Sequence, residues 1–340
     1  MATLRRICAE NAQVVRGFRL AKNSQQTYGS AVLQYARWAE MLHLQKPFPA
    51  TDAYLSEWLV FQSQTCSPDS LKVYMNAIRD FHLHRELTFQ PVRGRPAVVA
   101  TLQGLKRLHG AGSRRKLAIT RKVLFRMHGA AAAYATGVGI GDSLMAAVWA
   151  ATLVAFFGML RKDNVTVNKA DAFNTHNHLR RCDVFFQQTE EGEVMWLNLR
   201  HSKTNQFGER SHRLAIYPTG GSLCPVAAVR HLFETVPGEG GAHAFAFTSR
   251  GKVQPLTHTV FVRHLKGLLH SAGCDPASYS GHSLRRGGAT LAFRLGMSME
   301  QIMEHGDWRS LAVMVYNEVC AADRQRLPRR LAAACSTPPV

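Results

Sequence analysis

The segment SGHSLRRGGAT, residues 280–290, places one imidazole and two guanidiniums close together in the chain. His282 and Arg285 are three residues apart, so on a helix they would share one face. A guanidinium offers a planar set of donors that matches two oxygens of a phosphate, and its charge does not titrate away near neutral pH. The pattern predicts binding of a phosphate oxyanion. The plainer alternative is a surface helix with ordinary basic residues.

The same segment predicts a helix that Ser280 caps and Gly296 ends. Gly287 and Gly288 inside it would each cost about 1 kcal/mol relative to alanine. The pair therefore predicts close approach of something bulky, either DNA or another backbone. The residues expected to pack this helix are Leu284, Ala289, Leu291, Ala292 and Leu295.

Four more residues along the chain have side chains suited to the same chemistry. Arg161 ends an apolar helix predicted over residues 144–160, and Lys203 lies in the turn of a hairpin predicted from strands at 194–201 and 210–218. Trp308 follows a short helix with a Ser298–Gln301 capping box, and Tyr316 lies on a helix capped by Ser310. Taken singly, each has a plainer reading: a helix C-cap for Arg161, a solvated turn for Lys203, and core packing for Trp308 and Tyr316.

The order Arg161, Lys203, His282, Arg285, Trp308 and Tyr316 resembles that of the tyrosine recombinase (phage integrase) family. The phrases FFGMLRKDN, SKTNQFGER, YSGHSLRRGGAT and GDWRS are most similar to recombinases of eukaryotic mobile elements, of the Crypton and DIRS/Ngaro kinds. The resemblance covers about residues 119–320. H-x-x-R alone would be a weak signal, whereas five separated motifs in order are a strong one.

The resemblance implies an enzyme that breaks and rejoins DNA during recombination or integration of a mobile element. Tyr316 would attack a phosphodiester, giving a 3′-phosphotyrosyl link and a free 5′-hydroxyl. Arg161 and Arg285 would clamp the non-bridging oxygens, and His282 would take or share the tyrosine proton. Lys203 would protonate the leaving oxygen, and Trp308 would donate a hydrogen bond. The resemblance implies no metal and no other cofactor.

The sequence departs from the family pattern at two places. Many members carry an acidic residue three positions after the first arginine, where this chain has Asn164, with Asp163 beside it. The interval from Trp308 to Tyr316 is one residue shorter than in the best-known bacterial and phage relatives. These departures bear on how Arg161 is oriented and on the reach of the tyrosine.

The length of 340 residues predicts two domains. We expect a helical, core-binding (SAM-like) DNA-binding domain over residues 1–112 and a catalytic domain with a C-terminal tail over 113–340. A Gly-, Ser- and Arg/Lys-rich linker is predicted over 109–120. The expected fold class is mainly α with a small β-sheet or hairpin (α+β). The seven cysteines are scattered without a C-x-x-C pair, which argues against a disulfide framework and a zinc site.

The net charge of +19 indicates a polyanionic partner, because lysine and arginine gain by displacing counterions from phosphate. The expected partner is double-stranded DNA, bound as a homotetramer, with a monomer away from DNA and the segment after Tyr316 docking on a neighbour. We expect no membrane association and no secretion. The expected location is the nucleus in a eukaryotic host and the cytoplasm or nucleoid otherwise.

Other functions stay open at this stage. The chain could be a catalytically inactive or domesticated DNA-binding protein derived from such a recombinase, or a type IB topoisomerase. The run at 144–160 could span a membrane, although Gly158 interrupts it. The motif THNH at 175–178 is reminiscent of a metal-dependent nuclease but lacks the surrounding pattern.

Overall fold

The computed structural model describes residues 15, 19–110, 115–203, 205, 211–316 and 332, with Lys22, Val315 and Tyr316 described by backbone alone. The chain divides into two compact units, Met1–Arg115 and Lys116–Val340. The sequence placed the boundary at 112/113, and residues 111–114 lie outside the described part. The assignment of core-binding and catalytic roles to the two domains stays a prediction.

The first unit contains four α-helices in its described part, and the second contains the remaining helices and the strands. The helices are α1 (Lys22–Met41), α2 (Asp52–Gln62), α3 (Pro68–His84), α4 (Pro96–His109), α5 (Arg121–Val138), α6 (Asp142–Phe157), α7 (Lys162–Val165), α8 (Pro225–Thr235), α9 (His258–Ser271), α10 (Ser283–Arg294) and α11 (Met299–His305). The strands are β1 (Val184–Thr189), β2 (Gly192–Leu199), β3 (His212–Ile216), β4 (Ala246–Ser249) and β5 (Lys252–Pro255). The 3₁₀-helices are Val92–Gly94, Ala170–Ala172, Arg181–Asp183, Pro276–Ser278 and Leu311–Tyr316. The mainly α architecture with small antiparallel sheets confirms the predicted fold class.

Two helices of the first unit begin where local capping signals predict. The Thr51 hydroxyl oxygen accepts a hydrogen bond from the Tyr54 N–H at 3.2 Å, and α2 follows it. Ser67 caps α3 in the same way, with Pro68 at the first helical position. These caps satisfy backbone donors that would otherwise have no partner within the helix.

Aromatic and aliphatic residues together form the core of the first unit. Tyr35 and Trp58 are fully buried, and their rings meet edge to face with centroids 5.2 Å apart. Trp38 is buried beside them, as its spacing predicts. Leu42 continues the helical spacing of Tyr28, Val32, Tyr35 and Trp38, which predicts that it lies on the same apolar face. It is nevertheless 50% exposed. That prediction is wrong because α1 ends at Met41 and the chain turns there.

Helix α6 is the centre of the second unit. It packs against α7, α8, α9, α10 and β4, and its residues from Ala146 to Phe156 are buried almost without exception. A helix that is apolar on all sides needs such an environment on every side. The apolar run of the sequence is therefore a core helix. Among the described residues, no helix is long and apolar enough to cross a membrane.

The predicted hairpin forms, and it belongs to a larger sheet. Strands β2 and β3 pair antiparallel, with Leu197 opposite Leu214, and β1 adds to the other edge of β2. Strands β4 and β5 form a second antiparallel pair. Strands β1, β4 and β5 were not predicted from the sequence.

Residues 116–119, predicted as linker, are part of the second unit. The Ile119 N–H donates to the Ser283 carbonyl oxygen at 2.9 Å, and the Leu117 N–H donates to the Ser278 carbonyl oxygen at 2.8 Å. Arg286, which is 7% exposed, donates to the Lys116 carbonyl oxygen. The segment is therefore fixed to the start of α10.

The two glycines of α10 allow other backbone segments to approach it. A Cβ atom at Gly287 would overlap the Ile119 carbonyl oxygen, and one at Gly288 would overlap the Phe156 carbonyl oxygen. Of the two causes the sequence left open, the structure shows close backbone approach, from residue 119 on one side and from α6 on the other. The pair sets how deeply α10 sits in the unit.

Gly287→Ala is therefore expected to destabilise the protein by about 3 kcal/mol, because backbone can yield less than a flexible side chain. Thermal unfolding should show a fall of roughly 6–12 °C in the Tm of the second unit. Gly129→Ala is the matched control, since Gly129 lies inside α5 with nothing within 4 Å of an added Cβ. The control should be stabilised by about 0.5–1 kcal/mol. Equal effects at both sites would contradict the packing of α10.

Candidate active site

Arg161 lies at a sharp reversal of the chain after α6. A Cβ at Gly158 would lie 2.7 Å from the Leu214 side chain, and Met159 follows with a φ of 47°. This turn ends α6 at Phe157 and places Arg161 directly before α7. The prediction that Arg161 ends the apolar helix is wrong, because the reversal at residues 158–159 stops the helix first.

Asn164 fixes the backbone of Arg161. Its Oδ1 accepts a hydrogen bond from the Arg161 N–H at 3.1 Å, and its own N–H donates to the Arg161 carbonyl oxygen at 2.9 Å. The two bonds satisfy backbone groups at the start of α7. Asn164 thus holds the main chain from which the Arg161 guanidinium extends.

His282 occupies the N-cap position of α10, where Ser280 was predicted. Its side chain makes no capping bond. The Ser280 hydroxyl oxygen accepts from the His282 N–H at 3.3 Å, and the Ser280 N–H donates to the Ser283 hydroxyl at 2.9 Å. The prediction is wrong because Ser280 is used within this turn. The imidazole of His282 is therefore left exposed at the end of the helix.

Arg285 is buried beneath that turn. It is 1% exposed and donates a hydrogen bond to the Met159 carbonyl oxygen. Its guanidinium carbon lies 3.6 Å from the ring centroid of Trp308, which is itself 6% exposed. Stacking of a guanidinium on an indole contributes about 2 kcal/mol when both groups are desolvated. The guanidinium is thus held against one face of the indole ring.

A small apolar cluster connects the elements around this charge. It joins the turn after α6, helices α10 and α11, the Trp308 ring and the last 3₁₀-helix. Its buried members are Met159, Ala289, Ala292, Ile302, Trp308 and Val313. Leu295, also predicted to pack α10, is 70% exposed and wrongly assigned.

Lys203 lies on the β2–β3 hairpin, beside the turn that carries Trp308. The Ser202 hydroxyl donates to the Asp307 carboxylate at 2.8 Å, and His212 Nε2 lies 3.3 Å from the His305 carbonyl oxygen. These two contacts hold the hairpin against the end of α11. Lys203 itself is exposed, and the hairpin residues 204 and 206–210 lie outside the described part.

The charges of Arg161, His282 and Arg285 act on one another. His282 is exposed, but it loses part of its hydration in the fold. This loss is the main cause that lowers its pKa. The negative charge of Asp163 opposes this change, whereas the positive charges of Lys162, Arg285 and Arg161 lower the pKa further. The lowered pKa favours the neutral form of the imidazole.

Tyr316 is the last residue of the 3₁₀-helix Leu311–Tyr316, which packs against α10. The Ser310 hydroxyl oxygen accepts from the Ala312 N–H at 3.4 Å, so Ser310 supports the start of this helix as predicted. Val313, three residues before the tyrosine, is fully buried in the cluster below Arg285. The Tyr316 side chain lies outside the described part, as does the segment predicted to dock on a neighbour.

The structure thus brings Arg161, His282 and Arg285 together, and the Trp308 ring packs against Arg285. It sets the Lys203 hairpin and the backbone of Tyr316 beside the same cluster. A pair of guanidiniums next to a neutral imidazole can stabilise charge on a phosphoryl group and accept a proton. The sequence did not predict that His258 lies beside Asp163, because the two residues are far apart in the chain.

The THNH motif lies on a turn at residues 174–178. The Asn174 side-chain oxygen accepts from the His176 N–H at 2.8 Å, and His178 Nδ1 lies 3.0 Å from the Asn174 N–H. Within the motif, the His178 side chain thus bonds inside the turn. Within the described ranges, no three His, Cys, Asp or Glu side chains come together as metal ligands would.

Several solved structures of recombinases and integrases are similar to this chain. The XerH site-specific recombinase bound to a palindromic difH substrate, a post-cleavage complex, has a TM-score of 0.63 and 13% identity over 90% of this chain and 78% of that one. The lambda integrase (75–356) dimer bound to a COC′ core site has a TM-score of 0.56 and 16% identity over 94% and 95%. The Tn1549 transposon integrase (82–397) with circular intermediate DNA has a TM-score of 0.57 and 12% identity over 96% and 99%.

At these identities the similarity shows the fold, which is that of the tyrosine recombinases. It extends over 90–96% of the chain in these three comparisons. No family model and no curated protein matches the sequence.

Proposed function

We propose that this chain, with its tyrosine recombinase fold, cleaves and rejoins DNA strands through a covalent bond to Tyr316. The observation that carries the proposal is Arg285, a guanidinium almost without exposed surface, stacked on Trp308 and close to Arg161 and His282. A buried charge is costly unless it has a partner or a purpose. A site that must hold an additional negative charge during reaction supplies such a purpose.

The proposed reaction begins with attack of the Tyr316 phenol oxygen on a DNA phosphorus atom. The new P–O bond replaces the bond to the 5′-oxygen, leaving a 3′-phosphotyrosyl link and a free 5′-hydroxyl. The energy of the phosphodiester is conserved in this link, so rejoining needs no nucleotide cofactor. Attack by a different 5′-hydroxyl reverses the steps and completes the exchange.

The other residues act on charge and protons. Arg161 and Arg285 hold the non-bridging oxygens as negative charge grows on them. His282 accepts the phenol proton, since a phenol with a pKa of about 10 is a weak nucleophile until deprotonated. Lys203 donates a proton to the leaving 5′-oxygen, and the Trp308 indole supports the plane of Arg285.

The net charge of +19 supports double-stranded DNA as the substrate. Exchange of two duplexes takes several coordinated cleavages, so we propose a homotetramer on DNA and a monomer away from it. The phrases FFGMLRKDN, SKTNQFGER, YSGHSLRRGGAT and GDWRS resemble recombinases of the Crypton and DIRS/Ngaro mobile elements. We therefore place the reaction in such an element and in a nucleus. Integration or transposition of such an element is the finer form of the proposal.

The test is covalent trapping on nicked DNA. A pool of labelled duplexes of random sequence is prepared with a nick at varied positions in the labelled strand. Cleavage a few nucleotides to the 5′ side of the nick then frees a short 5′-hydroxyl fragment, which diffuses away and prevents rejoining. We expect a covalent protein–DNA complex that survives SDS and is removed by protease. The second product should be a short fragment whose free 5′-hydroxyl polynucleotide kinase can label. DNA binding without any such species would favour the catalytically inactive DNA-binding protein instead.

A further inference from the structure

The β2–β3 hairpin continues past its paired strands, and both of its legs are hydrogen-bonded to the place where α11 ends. On the outgoing leg, the Ser202 hydroxyl donates to Asp307 Oδ2 at 2.8 Å. On the returning leg, His212 Nε2 donates to the His305 carbonyl oxygen at 3.3 Å. Lys203 follows Ser202 directly in the chain. The bond to the carboxylate therefore lies one residue from the proposed proton donor.

Asp307 lies on a turn whose backbone is fixed by α11. Its N–H donates to the Glu304 carbonyl oxygen at 3.2 Å, and the Trp308 N–H donates to the Met303 carbonyl oxygen at 2.9 Å. A Cβ at Gly306 would overlap the Trp308 ring, so the indole packs closely on this turn. The carboxylate thus extends from a backbone that α11 and the indole hold in place.

The end of α11 is also bonded to the end of α6. His305 Nε2 donates to the Phe157 carbonyl oxygen at 2.9 Å, and Phe157 is the last residue of α6, shortly before Arg161. His305 therefore uses its side chain toward α6 and its carbonyl oxygen toward the hairpin. The hairpin is bonded to a part of the fold that is itself tied to the segment carrying Arg161.

The conformation and the burial of Asp307 both cost free energy. Its φ is 53°, in the left-handed region that residues with a side chain adopt infrequently. Its side chain is 10% exposed, and burial of a carboxylate is unfavourable unless hydrogen bonds compensate. Oδ2 accepts from Ser202, and Arg309 Nε lies 4.0 Å from Oδ1. Such costs at one residue are typical of a functional position.

A short closed turn carries Lys203. The Asn205 N–H donates to the Ser202 carbonyl oxygen at 3.0 Å, and the Ser202 N–H donates to the Asn205 carbonyl oxygen at 3.4 Å. The Asn205 side chain donates to the Arg200 carbonyl oxygen at 2.9 Å. Because Lys203 lies inside this turn, fixing Ser202 also fixes the backbone from which the lysine side chain extends.

We propose that Asp307 is a positioning residue, which holds Ser202 so that Lys203 is placed to protonate the leaving 5′-oxygen. The inference rests on the proposed function, because it assigns a task within that reaction. The Lys203 ammonium gives its proton to the 5′-oxygen as the bond from that oxygen to phosphorus breaks. Asp307 takes no proton and acts through the Ser202 hydroxyl. A misplacement of about 1 Å can cost about 10²-fold in rate, so one such bond has a measurable effect.

The first readout of the test needs no activity. Hydrogen exchange of the Asn205 amide reports opening of the turn, and mass spectrometry of short peptides that contain residue 205 follows it. Ser202→Ala and Asp307→Gly should each speed this exchange about 3–10-fold, because each removes one partner of the same hydrogen bond. Glycine is the replacement at 307 because it adopts a positive φ without strain.

The second readout is the single-turnover rate of covalent complex formation on two nicked DNAs. They carry either oxygen or sulfur at the bridging 5′ position of the cleavage site that covalent trapping identifies. A thiolate leaves without a proton, because a thiol has a pKa of about 8.5, far below that of an aliphatic hydroxyl. Lys203→Ala should therefore lose about 10²–10⁴-fold on the oxygen substrate and less than about threefold on the sulfur substrate.

Ser202→Ala and Asp307→Gly should lower the rate on the oxygen substrate about 10–100-fold, and most of this loss should disappear with sulfur. A loss caused by general misfolding would be equal on both substrates. Asp307→Asn keeps an acceptor for Ser202 and tolerates the positive φ, so it should retain most of the rate. Adding Ser202→Ala to Asp307→Gly should cost little more, because both changes remove the same bond.

Ser143→Ala is the matched control. The Ser143 hydroxyl donates to the Thr248 carbonyl oxygen at 3.2 Å and accepts from the Thr248 N–H at 3.3 Å, so this variant also loses serine contacts between two elements. Ser143 lies in the first turn of α6, roughly 20 Å along the helix axis from its other end. The variant should change neither the exchange at Asn205 nor the rate on either substrate.

Unchanged exchange at Asn205 in both Ser202→Ala and Asp307→Gly would overturn the inference, whatever the activity. Rate losses of equal size on the oxygen and sulfur substrates would also overturn it, since the bond would then act on something other than protonation of the leaving group. If exchange is faster in both variants but the wild type forms no covalent complex, the contact with the hairpin stands. The proposed function then fails, and the role of Asp307 in it fails with it.

Discussion

Tyr316→Phe is expected to abolish the covalent complex with nicked DNA, a loss of about 10⁴-fold or more in rate, while DNA affinity changes by less than about twofold. Removing the nucleophile removes the only group that can form the new bond to phosphorus, and nearby groups cannot replace it. Binding rests on the basic surface and not on one phenol. Trapping yield and a gel-shift titration at one fixed salt concentration measure the two quantities.

The matched control is Tyr217→Phe. Tyr217 is 46% exposed and lies just after β3 in the same unit. Its loss should leave both the trapping yield and the affinity at the wild-type value. A Tyr316→Phe protein that still forms the SDS-resistant species would show that another side chain attacks the DNA, and the roles assigned to the cluster would have to be redrawn around it.

Arg285→Lys should lower the rate of covalent complex formation by about 10²–10³-fold with little change in DNA affinity. A lysine keeps the charge but lacks the planar fork that both stacks on Trp308 and donates to the Met159 carbonyl oxygen. Its ammonium would also have to enter a site with about 1% exposure. The variant should therefore be less stable, and its rate should be measured well below its Tm.

Arg294→Lys is the control for the same substitution on the same helix. Arg294 is exposed at the last turn of α10, and its replacement should leave the rate unchanged. If Arg285→Lys cleaves DNA at the wild-type rate, then charge alone suffices at this position. The fixed plane on Trp308 would in that case serve folding and not the reaction.

The sequence predicts well wherever a feature is encoded by neighbours in the chain. The Ser298–Gln301 capping box forms as expected, and the caps at Thr51 and Ser67 follow their local signals. Pro225 begins α8, as the preference of proline for the first helical position predicts. The β2–β3 hairpin follows from two apolar runs around a polar turn. In each case the interacting groups lie within a few residues, so the local pattern carries the information.

The features that the sequence left open or missed depend on distant contacts. Arg285 and Arg286 are adjacent and chemically identical, yet one contacts Met159 and Trp308 while the other holds Lys116. The spacing from His282 selects Arg285, but it does not predict which distant backbone segment each arginine contacts. The contact of His258 with Asp163 likewise joins residues that are far apart in the chain.

The glycine pair shows the same limit. Its composition predicted close approach but not the approaching group, which proves to be the backbone at Ile119 and Phe156. The reversal at Met159 that moves Arg161 out of α6 is also set by packing, against Leu214 of β3. Such choices are made by the fold as a whole.

The central claim is that the phenol of Tyr316 becomes bonded to DNA phosphorus, and peptide mapping of the trapped complex tests it most directly. Nuclease treatment leaves a short nucleotide on the protein, and trypsin then releases residues 310–324, whose only tyrosine is Tyr316. Mass spectrometry is expected to find the nucleotide on that peptide, linked to Tyr316. A nucleotide on any other peptide, such as the one that carries Tyr279, would contradict the account.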